Sequence, residues 1–275
     1  MTLDTSTAIT SQGAKRWRLS PALRVSLLLH AAAAVMLATH PEAWRWALGV
    51  LAANHLALFL AVLRPRGQLL GPNLVRLPAP AVRRREIALT FDDGPDPEVT
   101  PRVLELLDRF QAKASFFCIG ERAAAYPELV KEIARRGHSV ENHSYHHRHA
   151  FAFFGVSRLK REVDAAQATL ASITGRLPVF FRAPAGFRSP LLDPVLASRG
   201  LRYVSWTRRG FDAVSGNSKR ILLQLTRRLA AGDVLLMHDR APVVLAVLPE
   251  LLERISAQGL KAVSLASACA DEPVE

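Results

Sequence analysis

From residue 86 onward, short apolar runs alternate with longer amphipathic ones. Runs of strand length fall at 86–91, 113–119, 137–142, 178–183, 201–206, 233–238 and 260–265. Between them, apolar residues recur at helical spacing over 99–110, 122–136, 157–174, 190–199, 217–231 and 242–257, as in Val103, Leu104, Leu107 and Phe110. This alternation predicts an α/β fold, a parallel sheet or barrel with helices outside it. The span is short for an eight-fold barrel, which takes about 250 residues.

Before residue 86 the pattern changes. Two apolar stretches, about 25–38 and 46–63, flank the helix-breaking turn His40-Pro41-Glu42. A bilayer-spanning helix takes about 20 apolar residues, with about 17 as the lower limit. The second stretch meets that limit. The first does so only with its flanks, 19–39, which include Arg24. Trp44 and Trp46 suit a membrane interface. Four readings compete: a two-helix membrane hairpin, a single-span signal anchor, a cleaved signal peptide, and a buried hairpin of a soluble protein. No clean small-residue cleavage site follows, which counts against the cleaved peptide. Lys15, Arg16 and Arg18 precede the pair, and Arg64 and Arg66 follow it. A hairpin with both ends cytoplasmic fits that charge, whereas a single span puts the remaining chain outside. The expected organisation is therefore a disordered polar tail at 1–20, membrane-anchoring helices at 21–63, a Pro/Gly/Arg-rich linker at 64–85, and one α/β domain at 86–270.

Composition adds two constraints. The 275 residues are 49% hydrophobic and carry a net charge of +12, most of it from scattered Arg. The only basic block is Arg83-Arg84-Arg85, and no nucleic-acid motif is present. The charge thus points to an anionic membrane surface or an acidic polymer, with no nucleic acid as partner. Cys118 and Cys269 are too few and too far apart to form a disulfide framework, and Cys118 reads as a small core residue.

The polar residues cluster at the C-terminal ends of the expected strands, where barrel active sites are built. Thr90-Phe91-Asp92-Asp93-Gly94-Pro95 ends the first. Two adjacent carboxylates there suit a metal ligand beside a general base, because both cannot ionise cheaply without a cation between them. After the third strand comes Glu141-Asn142-His143-Ser144-Tyr145-His146-His147. His143 and His147 are four apart, which on a helical turn puts both imidazoles on one face. With one Asp oxygen they make a three-ligand site open to water, and His146 and His149 are rival ligands. Arg182-Ala183-Pro184-Ala185-Gly186 ends the fourth strand, Trp206 to Asp212 follows the fifth, and His238-Asp239 ends the sixth. His238 suits a proton donor opposite the Asp pair.

Taken together, Thr90–Pro95, His143-x-x-x-His147, Arg182-x-Pro184-x-Gly186 and Leu236-Met237-His238 resemble the polysaccharide deacetylase family. These are the proteins of the NodB homology domain, carbohydrate esterase family 4. The resemblance covers about residues 86–270. It implies a distorted (β/α)7 barrel and a divalent metal, usually zinc, held by Asp93, His143 and His147. It also implies that Asp92 is the general base on the attacking water and that Arg182 orients Asp92 and keeps it ionised. The backbone N–H of Ala185 would help hold the oxyanion. His238 would protonate the leaving amine, with Asp212 as its partner. The sequence departs from the family where Ala185 replaces a frequent aromatic residue. It departs again where Trp206 is followed by Arg209, Asp212 and Ala213 rather than by an early acid and a second tryptophan. Arg209 favours an anionic substrate. The expected activity is metal-dependent removal of N-acetyl groups from amino-sugar glycans by a protein anchored at a bacterial inner membrane. A deacylase of a lipid-linked sugar, an O-acetyl esterase and a non-catalytic carbohydrate-binding protein are the alternatives.

Overall fold

The computed structural model describes residues 19–271. The expected tail at 1–20, except its last two residues, and Lys15, Arg16 and Arg18 lie outside them. All seven expected strands form: β1 (Glu86–Asp92), β2 (Ser115–Cys118), β3 (Ser139–Asn142), β4 (Phe180–Phe181), β5 (Arg202–Tyr203), β7 (Val234–His238) and β8 (Lys261–Val263). An eighth, β6 (Arg208–Arg209), lies between β5 and β7 in sequence. It is two arginines long, so the hydrophobic pattern could not show it. All pairings are parallel, in the order β5-β4-β3-β2-β1-β7-β6, with β8 on the first half of β1. The sheet curls into an incomplete barrel.

Helices cover its outer face: α4 (Thr100–Arg109), α5 (Gly120–Ala125), α6 (Pro127–Arg135), α7 (Val156–Thr174), α8 (Leu192–Ala197), α9 (Ser218–Thr226) and α10 (Val244–Ala257), while α11 (Leu265–Ala268) packs at its floor. The single helix expected over 122–136 is instead two. Pro127 forces Tyr126 out of helical geometry, to φ −129° and ψ 57°, and starts a new helix. Side chains of β1 alternate between two environments. Ile87, Leu89 and Phe91 pack with Leu104, Leu107, Leu248 and Leu251 in the main core. Ala88 points the other way, among Phe117, Phe180 and Val234, where Leu77, Ala81 and Leu265 plug the floor. Thr90 and Asp92 continue that inner row toward the open end. Both cysteines are free and buried.

The stretch 64–85, expected as a linker, packs on the barrel. Leu74 forms a parallel bridge with Val204 and Arg76 an antiparallel one with Asp233, so the segment joins the edge of β5 to the base of β7. Arg76 also pairs with Asp233 at 2.6 Å. Buried Arg188 donates to the carbonyls of Gly71 and Pro72, at 3.0 and 2.8 Å. A short helix, α3 (Ala79–Arg83), then leads into β1. Its Gly and Pro mark a lack of regular elements, not a lack of packing.

The two N-terminal helices are α1 (Pro21–Thr39) and α2 (Trp44–Val62). Both are long and apolar enough to cross a membrane, with mean hydropathies of 1.7 for Pro21–Thr39 and 1.5 for the span Pro41–Val62 that contains α2. Only 11% and 17% of these spans are buried, unlike the core helix of a soluble domain. Asn54 donates to Ser26 at 2.9 Å between them. Leu28, Val35, Trp46 and Leu56 face outward. At its far end α2 meets the barrel, where Ala61, Val62, Leu70 and Ala152 pack together and Phe59 stacks on Phe153.

Candidate metal centre and active site

The pairing register builds the site. Asp92 at the end of β1 is aligned with Phe117 of β2 and His238 of β7. Aligned residues of neighbouring parallel strands project to the same face, so Asp92 and His238 both point into the barrel mouth. Arg182 follows β4 and crosses the interior with no exposed surface. Its guanidinium donates to Asp92 Oδ1 at 2.6 Å, Thr90 Oγ1 at 3.0 Å and the Ser205 carbonyl at 2.9 Å. It lies 4.1 Å above the ring of Phe117. Thr90 in turn donates to the Leu235 carbonyl at 2.7 Å. A buried cation is thus spent on fixing one carboxylate.

Asp93 leaves the strand with φ +74°, which turns its carboxylate toward the histidines instead of away from Asp92. Its Oδ1 lies 3.4 Å from His143 Nε2 and 3.2 Å from His147 Nε2. The spacing of His143 and His147 suggested a helical turn, but no helix is present there. They converge because Ser144 and His147 take positive φ, 61° and 51°. Non-glycine residues in that region carry about 1–3 kcal/mol of strain each, and such strain collects at functional sites. His146, a rival ligand, is diverted, its Nδ1 pairing with Glu162 at 2.9 Å. The second rival, His149, stands outside the donor trio, with its ring 6.3 Å from that of His147.

The trio fits a divalent metal. The ligand atoms of Asp93, His143 and His147 lie within 4.8 Å of one another. Tetrahedral zinc, with bonds of about 2.0–2.1 Å, puts its ligands roughly 3.3 Å apart, close to the two Asp93–histidine separations. Nδ1 of His143 donates to the Arg182 carbonyl at 2.8 Å, leaving Nε2 facing Asp93. Such an outer bond is how ligating histidines are oriented. Burial and the neighbouring charge of His143 push His147 down to about 4, so its imidazole is neutral. Burial alone would raise Asp93, but the hydrogen bond and charge of His143, with His147 and His238 adding, hold it well below the usual carboxylate range.

Across the mouth, His238 Nδ1 pairs with Asp212 Oδ1 at 3.0 Å, and the His238 backbone N–H donates to Asp212 Oδ2 at 2.7 Å. Burial works to lower the pKa of His238. The hydrogen bond and charge of Asp212, helped by Asp92 and Asp93, outweigh it and raise the value. With Nδ1 occupied, Nε2 is the ring nitrogen left to exchange a proton. His238, Asp212 and Asp93 line a cavity of about 450 Å³. Ala185 is half-buried in the turn after Arg182, with φ +54°.

The polysaccharide deacetylase family model matches residues 79–204, starting inside α3. A peptidoglycan-N-acetylglucosamine deacetylase of Bacillus cereus is 31% identical over 185 residues, covering 65% of this chain and 85% of that protein. The chain belongs to the polysaccharide deacetylase family. A chitooligosaccharide deacetylase of Azorhizobium caulinodans is 35% identical over 157 residues, covering 57% of this deacetylase-family chain and 74% of that one. The solved family 4 carbohydrate esterase of Streptomyces lividans superposes with a TM-score of 0.61 at 33% identity, over 64% of this chain and 91% of that one.

Two polar residues of this family member's site carried no role in the sequence. Asp239, beside His238, is buried and accepts from Thr100 Oγ1 at 2.6 Å. Burial pushes its carboxyl up to about 7. Glu162 accepts from the backbone N–H of Tyr145 and His146, at 3.1 and 2.9 Å, and so shapes the histidine loop. Asp239 adjoins a motif residue, which is a signal of sorts. Glu162 lies in the middle of α7, where a glutamate ordinarily faces solvent, and nothing in the sequence marks it.

Proposed function

We propose that the chain is a divalent-metal-dependent hydrolase that removes N-acetyl groups from amino-sugar-containing glycans. The observation that carries this is the division of labour between two adjacent carboxylates. Asp92 is locked to buried Arg182 at 2.6 Å, while Asp93 is turned toward two histidines. Asp93, His143 and His147 would hold the metal, and their N2O donor set suits zinc. A metal bound there supplies Lewis acidity, which acidifies a water and polarises a carbonyl oxygen. Asp92 Oδ1 is fixed on Arg182, so its Oδ2 accepts the proton of the attacking water. The backbone N–H of Ala185 donates to the developing oxyanion. The carbon–nitrogen bond breaks as His238 Nε2 gives its proton to the leaving nitrogen, and Asp212 stabilises the charged imidazole beforehand. Products are acetate and a free amino sugar.

The names of the relatives support an N-acetylated glycan as substrate, since they include deacetylases of peptidoglycan and chitooligosaccharides. The outward apolar faces of α1 and α2 support anchorage of the catalytic domain, 86–270, at a membrane. The test is acetate release from N-acetylglucosamine oligomers by the full chain in detergent micelles. Chelation abolishes release and added zinc restores it. Metal-loaded protein that binds oligomers but releases no acetate would overturn the reading in favour of a carbohydrate-binding protein.

A further inference from the structure

A groove of about 770 Å³ runs between the end of α2 and the loop before Asp212. Its walls carry Arg64, Arg66, Arg208, Arg209 and Arg227, and no Asp or Glu lines it among the described residues. Arg208 is engaged by Asp233 and by the carbonyls of Arg227 and Arg228. The other four have no acidic partner among the described residues. Arg209 is held ready, with its guanidinium 5.3 Å from the ring of Trp206 and 4.9 Å from that of Phe211. Its Nε is buried without a hydrogen-bond partner. Four uncompensated arginines around one cavity repel one another, and an anion relieves that repulsion. Planar guanidinium forks match phosphate oxygens in particular.

The two ends of the groove say what carries the phosphate. At the inner end, Phe211 directly precedes Asp212, the partner of His238, and Trp206 occupies the space beside Gly186, next to Ala185. At the outer end, Leu63 and Arg64 cap α2, whose exposed Leu56, Phe59 and Leu60 offer an apolar track. We propose that this groove binds a phosphodiester joining the N-acetylated sugar to a lipid, so that sugar, phosphate and hydrocarbon chain are read by mouth, arginines and α2 in turn. The proposal rests on the hydrolase reading for the fate of the sugar. The arginines do not depend on that reading for the binding of the phosphate.

The test uses the full chain in neutral detergent and two probes. One is N-acetylglucosamine joined to a long-chain alcohol through a phosphodiester, and the other is the same sugar and alcohol joined directly as a glycoside. Calorimetry on chelator-treated protein measures binding, and acetate release with zinc restored measures turnover. The phosphodiester is expected to bind at least about tenfold tighter, as charge-assisted bidentate contacts allow. Arg209→Gln and the double variant Arg66→Gln/Arg227→Gln lose that preference, and Arg209→Lys keeps part of it. The preference is a ratio within each variant, so general damage to the fold leaves it unchanged. Equal binding of the two probes, or a preference that survives both glutamine variants, overturns the proposal. So does loss of binding to phosphatidylglycerol-containing vesicles in Arg209→Gln with the probe preference intact, which would assign the groove to bilayer headgroups. Phosphate-dependent binding without acetate release would instead sink the hydrolase reading and leave the anion site standing.

Discussion

Replacing Arg182 with Met removes a cation and leaves a shape that nearly fills its place. Asp92, 4% exposed, loses its 2.6 Å partner and remains buried. Removing one member of a buried ion pair costs about 3–5 kcal/mol, because the other charge stays uncompensated. The guanidinium over Phe117 at 4.1 Å is also lost. That contact is worth about 1–2 kcal/mol, of which the Met sulfur regains a part. The expected net loss is about 4 kcal/mol, a large share of the roughly 5–15 kcal/mol that stabilises a typical domain. Most of it arises from one stranded carboxylate, so it should shrink by about 2 kcal/mol or more in an Asp92→Asn background. Urea unfolding of the chelator-treated full chain, followed by tryptophan fluorescence, measures all four corners of this cycle. The turnover of Arg182→Met should fall about 10²-fold, the effect of roughly 1 Å of misplacement in a catalytic group. A loss below about 1 kcal/mol, or one that is the same with Asp or Asn at position 92, would refute the reasoning.

Other consequences are simpler to state. In Asp212→Asn the charge that raises the pKa of His238 is gone, so the alkaline limb of the pH profile of kcat/KM moves to lower pH; an unmoved limb removes His238 as the acid. Asp93→Asn should cost more activity than the roughly 10–100-fold loss typical of outer partners of metal ligands, together with the bound metal itself, measured by elemental analysis. The carboxyl of Asp239, pushed up to about 7 by burial against an ordinary value near 4, keeps a proton in the folded state that the unfolded state gives up. Its own contribution to stability therefore falls as pH rises from about 4 to 7, against the opposite contributions of His138 and His147, which burial pushes down to about 4. Asp239→Asn removes that contribution alone, so urea unfolding should show the variant gaining stability relative to the parent as pH rises from about 4 to 7, and a difference that does not change with pH would contradict it.

The fold and the site were legible in the sequence to different depths. β1 and β7 are buried along their whole length, so their apolar runs stood out. β4 and β5 are two residues each, and β6 is Arg208–Arg209 alone, because the sheet there is completed by loop segments rather than by long ladders. The packing of 64–85 was hidden for a related reason. Its contacts run through Leu74, Arg76 and Leu77, single residues with no period to detect. Among the site residues, Asp92, Asp93, His143, His147, Arg182, Asp212 and His238 lie together at the barrel mouth. The reason expected for the histidine pair was wrong, since positive φ at Ser144 and His147 does what a helical turn was meant to do. The closeness of Arg182 to Asp92, 90 residues apart, is a product of topology and was implied only by family resemblance.

The central claim is that Asp92 and Asp93, neighbours in sequence, do different work. Asp92→Asn in the full chain, with metal content and acetate release measured on the same sample, tests it most directly. One equivalent of metal retained, with turnover down by at least about 10²-fold, is the expected result for loss of a general base. Metal lost in proportion to activity, or turnover near that of the parent, would contradict it.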